Sequence, residues 1–105
     1  MNQHSEIFRA LGDPTRRAVF ERLFRGEATV SEIKSGFSVS QPAISQHLAA
    51  LKKAGLVTER RDGRNKHYSV DATGLKPLID WVRQYEEFWH RHLRQMKSVL
   101  EEIEK

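Results

Sequence analysis

The sequence predicts a mainly α-helical fold with a small β-hairpin, formed as one domain over residues 1–105. Three observations lead to this prediction. Five segments carry helical capping signals or helical apolar spacing, whereas only residues 56–61 and 66–70 are predicted strands. The turn sequence Asp-Gly-Arg-Asn at 62–65 lies between those strands and favours a hairpin. A chain of 105 residues, 38% of them hydrophobic, suits one modest core.

The first two predicted helices are separated by a clear stop and start. A short helix over residues 5–11 ends at Gly12. Asp13 then suits the N-cap of the second helix and Pro14 its first position, where a missing N–H costs little. Gly26 ends this helix. Its apolar residues are Val19, Phe20, Leu23 and Phe24.

Two further helices follow with little chain between them. Residues 29–36 form the third, and Thr29 with Glu32 matches a capping box. Residues 37–40 then form a tight turn into the fourth. This short connection is typical of a helix-turn-helix.

The fourth helix, over residues 40–56, is the most informative segment. Ser40 suits its N-cap, and Gly55 can supply the left-handed residue that closes it. Its narrow apolar stripe consists of Ile44, Leu48 and Leu51. The other faces carry Gln41, Ser45, Gln46 and Lys53. Such a helix suits the DNA major groove, where amide and hydroxyl groups read base edges.

Positive charge is concentrated in one third of the chain. Residues 40–70 carry a net charge of +4, compared with +1 for residues 1–39 and −1 for residues 71–105. The excess therefore coincides with the fourth helix and the hairpin. A surface that neutralises phosphates and an ordinary solvated basic face both agree with this distribution.

Residues 73–104 are predicted to form one long helix, with Pro77 near its start. Apolar and aromatic side chains recur at alternating spacings of three and four residues. About 30 helical residues span about 45 Å, which is more than so small a domain can cover. The stripe therefore predicts self-association, with packing inside a single chain as the alternative.

Several other protein classes are disfavoured. The chain has no cysteine, which excludes disulfides and thiolate metal sites. No apolar run approaches the roughly 18 residues of a membrane helix, and the N-terminus lacks a signal-peptide pattern. No nucleophile elbow, phosphate loop or metal-base motif is present. We therefore expect a cytoplasmic protein that is not an enzyme and has no membrane partner; the bacterial setting is implied only by the family resemblance given below.

Together the elements predict a winged helix-turn-helix, with residues 5–70 as the DNA-binding core and residues 73–104 as a dimerisation helix. Three motifs resemble the ArsR (SmtB-like) family of bacterial repressors. The first is Leu-Gly-Asp-Pro-Thr-Arg-Arg at 11–17, and the second is the segment 40–57. The third is Arg-Asp-Gly-Arg at 61–64, followed by Tyr68.

The resemblance implies a homodimeric repressor that places two helices in successive major grooves of an inverted-repeat operator in double-stranded DNA. It assigns base reading to Gln41, Ser45 and Gln46. It assigns contacts to the DNA backbone, partly through the wing, to Ser40, His47, Arg61, Arg64 and Lys66. Two alternatives remain: His47 can hydrogen-bond within the domain, and a wing arginine can form an ion pair with Asp62 or Glu59.

The last helix resembles a non-metal branch of the family, in which it serves dimerisation. The predicted interface residues are Phe8, Leu78, Val82, Tyr85, Trp89 and Met96. The family's Cys-x-Cys metal motif is missing from residues 30–34. Glu86 and His90 share a helix face, but the usual separation between ligand pairs is absent. We therefore predict no metal and no cofactor, and the sequence does not identify an inducer.

Three alternatives follow from the same residues. The aromatic run in the last helix can line a small-molecule pocket, which would make the chain a ligand-responsive repressor. A metal-responsive repressor is the second. The third is a winged-helix module that binds protein and not DNA.

Overall fold

The computed structural model describes residues 3–104, so residues 1, 2 and 105 of the predicted domain lie outside the described residues. The predicted fold class is confirmed: six helices accompany a small antiparallel sheet within this range. The helices are α1 (Gln3–Leu11), α2 (Pro14–Arg22), α3 (Val30–Lys34), α4 (Gln41–Lys53), α5 (Lys76–Arg83) and α6 (Glu86–Ile103). The strands are β1 (Ala28–Thr29), β2 (Val57–Asp62) and β3 (Asn65–Val70).

The joint between α1 and α2 follows from its sequence. The carboxylate of Asp13 accepts a hydrogen bond of 2.8 Å from the backbone N–H of Arg16, which caps α2. The guanidinium of Arg17 donates to the carbonyl oxygen of Leu11 at 3.1 Å, and that of Arg16 approaches the carbonyl oxygen of Ala10 at 3.5 Å. Two arginines of α2 thus satisfy carbonyls at the end of α1.

The capping box predicted for α3 is present. The Thr29 hydroxyl accepts from the backbone N–H of Glu32 at 3.3 Å, and the Glu32 carboxylate accepts from the backbone N–H of Thr29 at 2.9 Å. Hydrogen bonding from Thr29 to the charged carboxylate, above all from its backbone N–H, lowers the pKa of Glu32. The helix is shorter than predicted, because a tight turn in which Gly36 and Phe37 donate to Ile33 and Lys34 already begins at its end.

The sheet has the strand order β1-β3-β2 and is antiparallel throughout. The hairpin pairs Val57 with Val70 and Asp62 with Asn65, and Gly63 in its turn has a φ of 62°. The sequence did not predict β1, which has only two residues and so shows no alternation. Ala28 of β1 is fully buried opposite Tyr68, and this burial fixes the strand beside β3.

One hydrophobic core is shared by the four helices α1, α2, α3 and α4 and by buried residues of the sheet. The predicted stripe of α4, Ile44, Leu48 and Leu51, lies within it and is fully buried. Phe24 was predicted on the apolar face of the second helix, but it is 61% exposed. The cause is a change of geometry, since α2 ends at Arg22 and residues 23–25 form a tighter 3₁₀ turn.

The prediction of one continuous helix over 73–104 was wrong. Residues 73–75 form a 3₁₀ turn, and the chain turns again between α5 and α6. There the backbone N–H groups of Gln84 and Tyr85 donate to the carbonyls three residues earlier, which tightens the end of α5. Neither glycine nor proline lies at this break. The aromatic ring of Trp81 in α5 instead packs edge-on against Phe8 of α1, at 5.0 Å between centroids.

The end of α4 lies close to the start of the C-terminal segment, defined here as residues 71–104. A Cβ atom on Gly74 would lie 1.5 Å from the carbonyl oxygen of Gly55, so only glycine fits there without movement. The Leu56 carbonyl accepts from the backbone N–H of Asp71 at 2.9 Å. The Asp71 carboxylate accepts from the N–H groups of Thr73 and Gly74 at 3.1 and 3.3 Å. These contacts attach the C-terminal segment to the end of α4.

Candidate nucleic-acid interface

Helix α4 presents the polar face that its sequence predicted. The Ser40 hydroxyl accepts from the backbone N–H of Ala43 at 3.3 Å, and this cap sets where the helix begins. Because the apolar stripe of α4 is buried in the core, the polar face must point outward. Gln41, Ser45 and Gln46 are exposed, as is Ser40 itself. The N-terminal half of α4 therefore offers amides and hydroxyls to a partner.

His47 lies differently from these residues. Its side chain is 17% exposed and packs between α4 and the start of α2, with Nδ1 4.0 Å from Oδ2 of Asp13. Among residues 3–104, Nδ1 finds no hydrogen-bond partner. This location supports the alternative that His47 interacts within the domain, and its contact with phosphate stays a prediction.

The wing, defined here as the hairpin residues 57–70, carries the three predicted cations on its surface. Arg61, Arg64 and Lys66 are all exposed. Arg61 and Arg64 form no ion pair with any residue from 3 to 104, so neither makes the structural pair considered as the alternative. Lys66, by contrast, forms an ion pair with Glu59, with its Nζ 3.7 Å from Oε2 of that carboxylate.

Glu59 contacts more than Lys66. Its Oε1 accepts a short hydrogen bond of 2.5 Å from Nζ of Lys52, in the last turn of α4. The Tyr68 hydroxyl also interacts with this carboxylate. The hydrogen bond from Lys52 is the main cause of the lowered pKa of Glu59, and the positive charge of Lys66 lowers this pKa further. Sequence reasoning missed this role, because Lys52 and Glu59 lie on different elements and their spacing carries no helical or cross-strand signal.

A second acidic residue holds the opposite face of the wing. Glu27 accepts from the Arg60 guanidinium at 2.6 and 3.3 Å, and Nδ1 of His67 lies 3.9 Å away. The bond to Arg60 lowers the pKa of Glu27, and Glu27 in turn raises the pKa of Arg60. Arg60 is thus ion-paired with Glu27 of the same chain. Among the described residues, Arg61 and Arg64 are the wing arginines without an ion pair.

Four of the six predicted dimer residues lie on an exposed apolar surface of the C-terminal segment. Val82, Tyr85, Trp89 and Met96 are all at least 40% exposed. Phe8 is 43% exposed although it contacts Trp81. Leu78 differs, because it is half-buried against the core of its own chain. Other exposed apolar residues continue the surface along α6: Phe88, Leu93, Val99, Leu100 and Ile103.

Two further observations concern other kinds of site. Within residues 3–104, no three His, Asp or Glu side chains come together in a way that would hold a metal ion. Over the same range, no helix has the length and apolar character needed to cross a membrane.

Comparison with known proteins agrees with this geometry. Residues 13–59, from the start of α2 into the wing, match the family model described as bacterial regulatory protein, arsR family. The chain is 36% identical over 81 residues to the transcriptional repressor SdpR of Bacillus subtilis, covering 77% of this chain and 90% of SdpR.

Two other similarities point the same way. The HTH-type transcriptional regulator Rv2034 of Mycobacterium tuberculosis is 44% identical over 86 residues, covering 82% of this chain and 78% of that protein. The crystal structure of an ArsR family transcriptional regulator, RHA00566, superposes with a TM-score of 0.75 at 35% identity. That superposition covers 85% of this chain and 98% of the other.

Proposed function

Because this chain belongs to the ArsR family of bacterial regulatory proteins, we propose that it is a homodimeric repressor of an inverted-repeat operator. It is a DNA-binding transcriptional regulator and not an enzyme. In the proposed complex each subunit places α4 in a major groove, and the two helices lie about one turn of DNA, roughly 34 Å, apart. Occupancy of the operator blocks transcription in the bacterial cytoplasm.

One observation carries the base-reading part of this proposal. Gln41, Ser45 and Gln46 are exposed on the N-terminal half of a helix whose other side is anchored in the core. A glutamine amide can bond N6 and N7 of adenine together, and a serine hydroxyl can bond either donors or acceptors. We assign sequence discrimination to these three side chains.

The wing supplies affinity in this proposal. Arg61 and Arg64 are exposed and unpaired within the described chain, so they can meet phosphates or enter the minor groove without breaking an existing ion pair. Contacts to phosphate fix the position of a protein on DNA but carry no sequence information directly. They also make binding weaker as the salt concentration rises.

The exposed surface of the C-terminal segment supports the proposed homodimer. α6 alone has 18 residues, and its apolar side chains remain more than 40% exposed along its whole length. The largest dimension of the chain is 63 Å, compared with 30 and 21 Å for the others. A second copy of the same segment would cover this surface, and apolar patches of such extent mark interfaces.

A pair of alanine substitutions tests the assignment of roles. Gln46→Ala should lower affinity only for DNA with particular bases at the contacted position, by about 1–3 kcal/mol. Arg64→Ala should weaken binding to all sequences and reduce the dependence of log affinity on log salt by about one unit. The target is a fragment selected by the purified protein from random duplexes, and affinities are measured by fluorescence anisotropy.

Arg83→Ala is the matched control, since it removes an exposed arginine from α5 and should leave both quantities unchanged. Equal losses on every sequence for Gln46→Ala would contradict base reading. Binding by the unmodified protein that hardly changes with salt would contradict DNA binding itself and favour a protein-interaction module.

A further inference from the structure

We propose that Glu59 is a positioning residue that joins the reading helix α4 to the wing and thereby sharpens discrimination between operator and other DNA. This inference rests on the proposed function and names a residue that does not itself contact the operator. It acts through Lys52 and Lys66.

The geometry of the joint is specific. Glu59 is the third of the six residues of β2, and its partner residue across the ladder is Tyr68. One carboxylate oxygen binds Lys52 at the end of α4, and the other faces Lys66 on β3 at 3.7 Å. Tyr68 is almost fully buried and its hydroxyl interacts with the same carboxylate. One side chain therefore connects the helix, the wing and the edge of the core.

Affinity for DNA alone does not account for a carboxylate at this position. Residues 40–70 contain six basic side chains, and Glu59 and Asp62 are the two acidic ones. A negative charge close to phosphates weakens binding to every sequence, and it also engages two lysines that would otherwise be available to phosphates. A carboxylate here costs affinity, so its benefit must lie elsewhere.

The benefit that fits the geometry is a fixed distance between two DNA-contacting parts. Gln46 reads bases from α4, while Arg61 and Arg64 hold phosphates from the wing. When the joint is intact, both sets of contacts form together only on DNA whose bases are in the correct place. When the joint is broken, the wing can contact phosphates whether or not α4 meets the correct bases. The affinity for other sequences is then closer to the affinity for the operator.

Glu27 provides a natural comparison. It lies directly before β1 and holds Arg60 of β2 with its carboxylate, but Arg60 pairs with His67 across the ladder and so projects from the opposite face to Glu59. Among the contacts of the described residues, none joins Glu27 to α4. Loss of Glu27 therefore changes the charge of the wing without loosening it from the reading helix.

The test compares Glu59→Gln with Glu27→Gln, which changes the charge equally. For each, affinity is measured for the selected operator fragment and for a scrambled duplex of the same length and composition. Glu59→Gln should lower the ratio of operator to scrambled affinity by about fivefold, the size of effect expected for coupled neighbours. Glu27→Gln should leave the ratio unchanged. Circular dichroism melts check that both variants are folded.

A double-mutant cycle with Lys52→Gln shows whether Glu59 acts through the helix. Lys52→Gln breaks the same joint from an exposed position on α4, so it keeps the test valid even where Glu59→Gln fails to fold. It should lower the ratio by a similar factor, and Glu59→Gln should add little in its background.

Each outcome of these measurements either supports the inference about Glu59 or overturns it. An unchanged ratio in Lys52→Gln or in folded Glu59→Gln overturns the inference, as does an equal gain of affinity on both duplexes, since that would make Glu59 a simple electrostatic brake. Fully additive effects in the cycle also overturn it. Failure of the proposed function is distinguishable, because the unmodified protein would then bind both duplexes equally or not at all.

Discussion

Two regions of this chain, residues 7–68 and residues 82–103, differ in how far their apolar side chains are exposed to solvent. From Ile7 to Tyr68, the large side chains of the core are covered by the chain itself, and seven of them are essentially inaccessible. From Val82 to Ile103, side chains of the same chemical kind are exposed at the end of α5 and along the whole of α6. Both regions show regular apolar spacing, so spacing alone does not tell which surface a chain will bury by itself.

In the proposed homodimer, which would read a two-fold symmetric site, the difference separates two requirements. The first region must hold α4 rigidly, and a closed core does so within one subunit. The second would set the distance between the two subunits of the proposed homodimer, with its apolar face covered by the partner. The following predictions test whether the two regions are as separate as this division implies.

The largest expected effect compares the same substitution in the two regions. Leu48→Ala should lower the free energy of unfolding by about 3 kcal/mol, because it opens a cavity in a fully buried position. Leu100→Ala removes the same atoms from a side chain that is 55% exposed and should change the stability of the isolated subunit by less than about 0.5 kcal/mol. Urea denaturation at several protein concentrations measures both.

Only the Leu100→Ala effect should grow with protein concentration, because that residue gains contacts on association. A large loss at the lowest concentration for Leu100→Ala would show that α6 packs inside a single subunit, and the comparison would fail.

The next effect concerns the partner surface. Trp89→Glu should yield monomers in sedimentation experiments and weaken operator binding by about 100-fold, since two linked sites bind far better than one. Phe24→Glu is the matched control, as Phe24 is an exposed aromatic residue away from α6. A tight-binding dimer of Trp89→Glu would remove this residue from the interface.

The smallest effect tests the contact that connects the regions. Gly74→Ala places a methyl group against the Gly55 carbonyl and should cost about 2 kcal/mol of stability, because backbone atoms must move apart. Gly36→Ala adds the same methyl group 3.8 Å from the carbonyl oxygen of Ile33, an ordinary van der Waals distance, and should be nearly neutral. Thermal denaturation compares the two, and identical melting curves would show that the regions are joined more loosely than their geometry indicates.

Much of the first region could be predicted from local signals. Three helices begin where a side chain caps a backbone N–H group nearby in sequence: Asp13 at α2, Thr29 with Glu32 at α3, and Ser40 at α4. The hairpin was placed to within one residue, because Gly63 supplies the left-handed turn. The exposed face of α4 followed from its narrow apolar stripe. Whether these side chains contact DNA stays a prediction.

The features that escaped prediction depend on distant residues. The break between α5 and α6 has no local helix breaker, and it accompanies the packing of Trp81 on α1. Strand β1 exists because Tyr68, 40 positions later, pairs with Ala28. The links from Glu59 to Lys52 and from Glu27 to Arg60 join separate elements. In each case the partner is chosen by the tertiary fold, which no window of sequence contains.

The strand order has one more consequence, for solubility. Because β3 lies between the other two strands, β2 is left at the border of the sheet with one side of its backbone unpaired among the described residues. Such a border can recruit strands from other molecules and seed aggregates. The four consecutive charged residues of β2, Glu59 to Asp62, oppose this, because a strand added at this border would have to displace water from charged side chains. The charges at this border therefore disfavour aggregation through strands added to the wing.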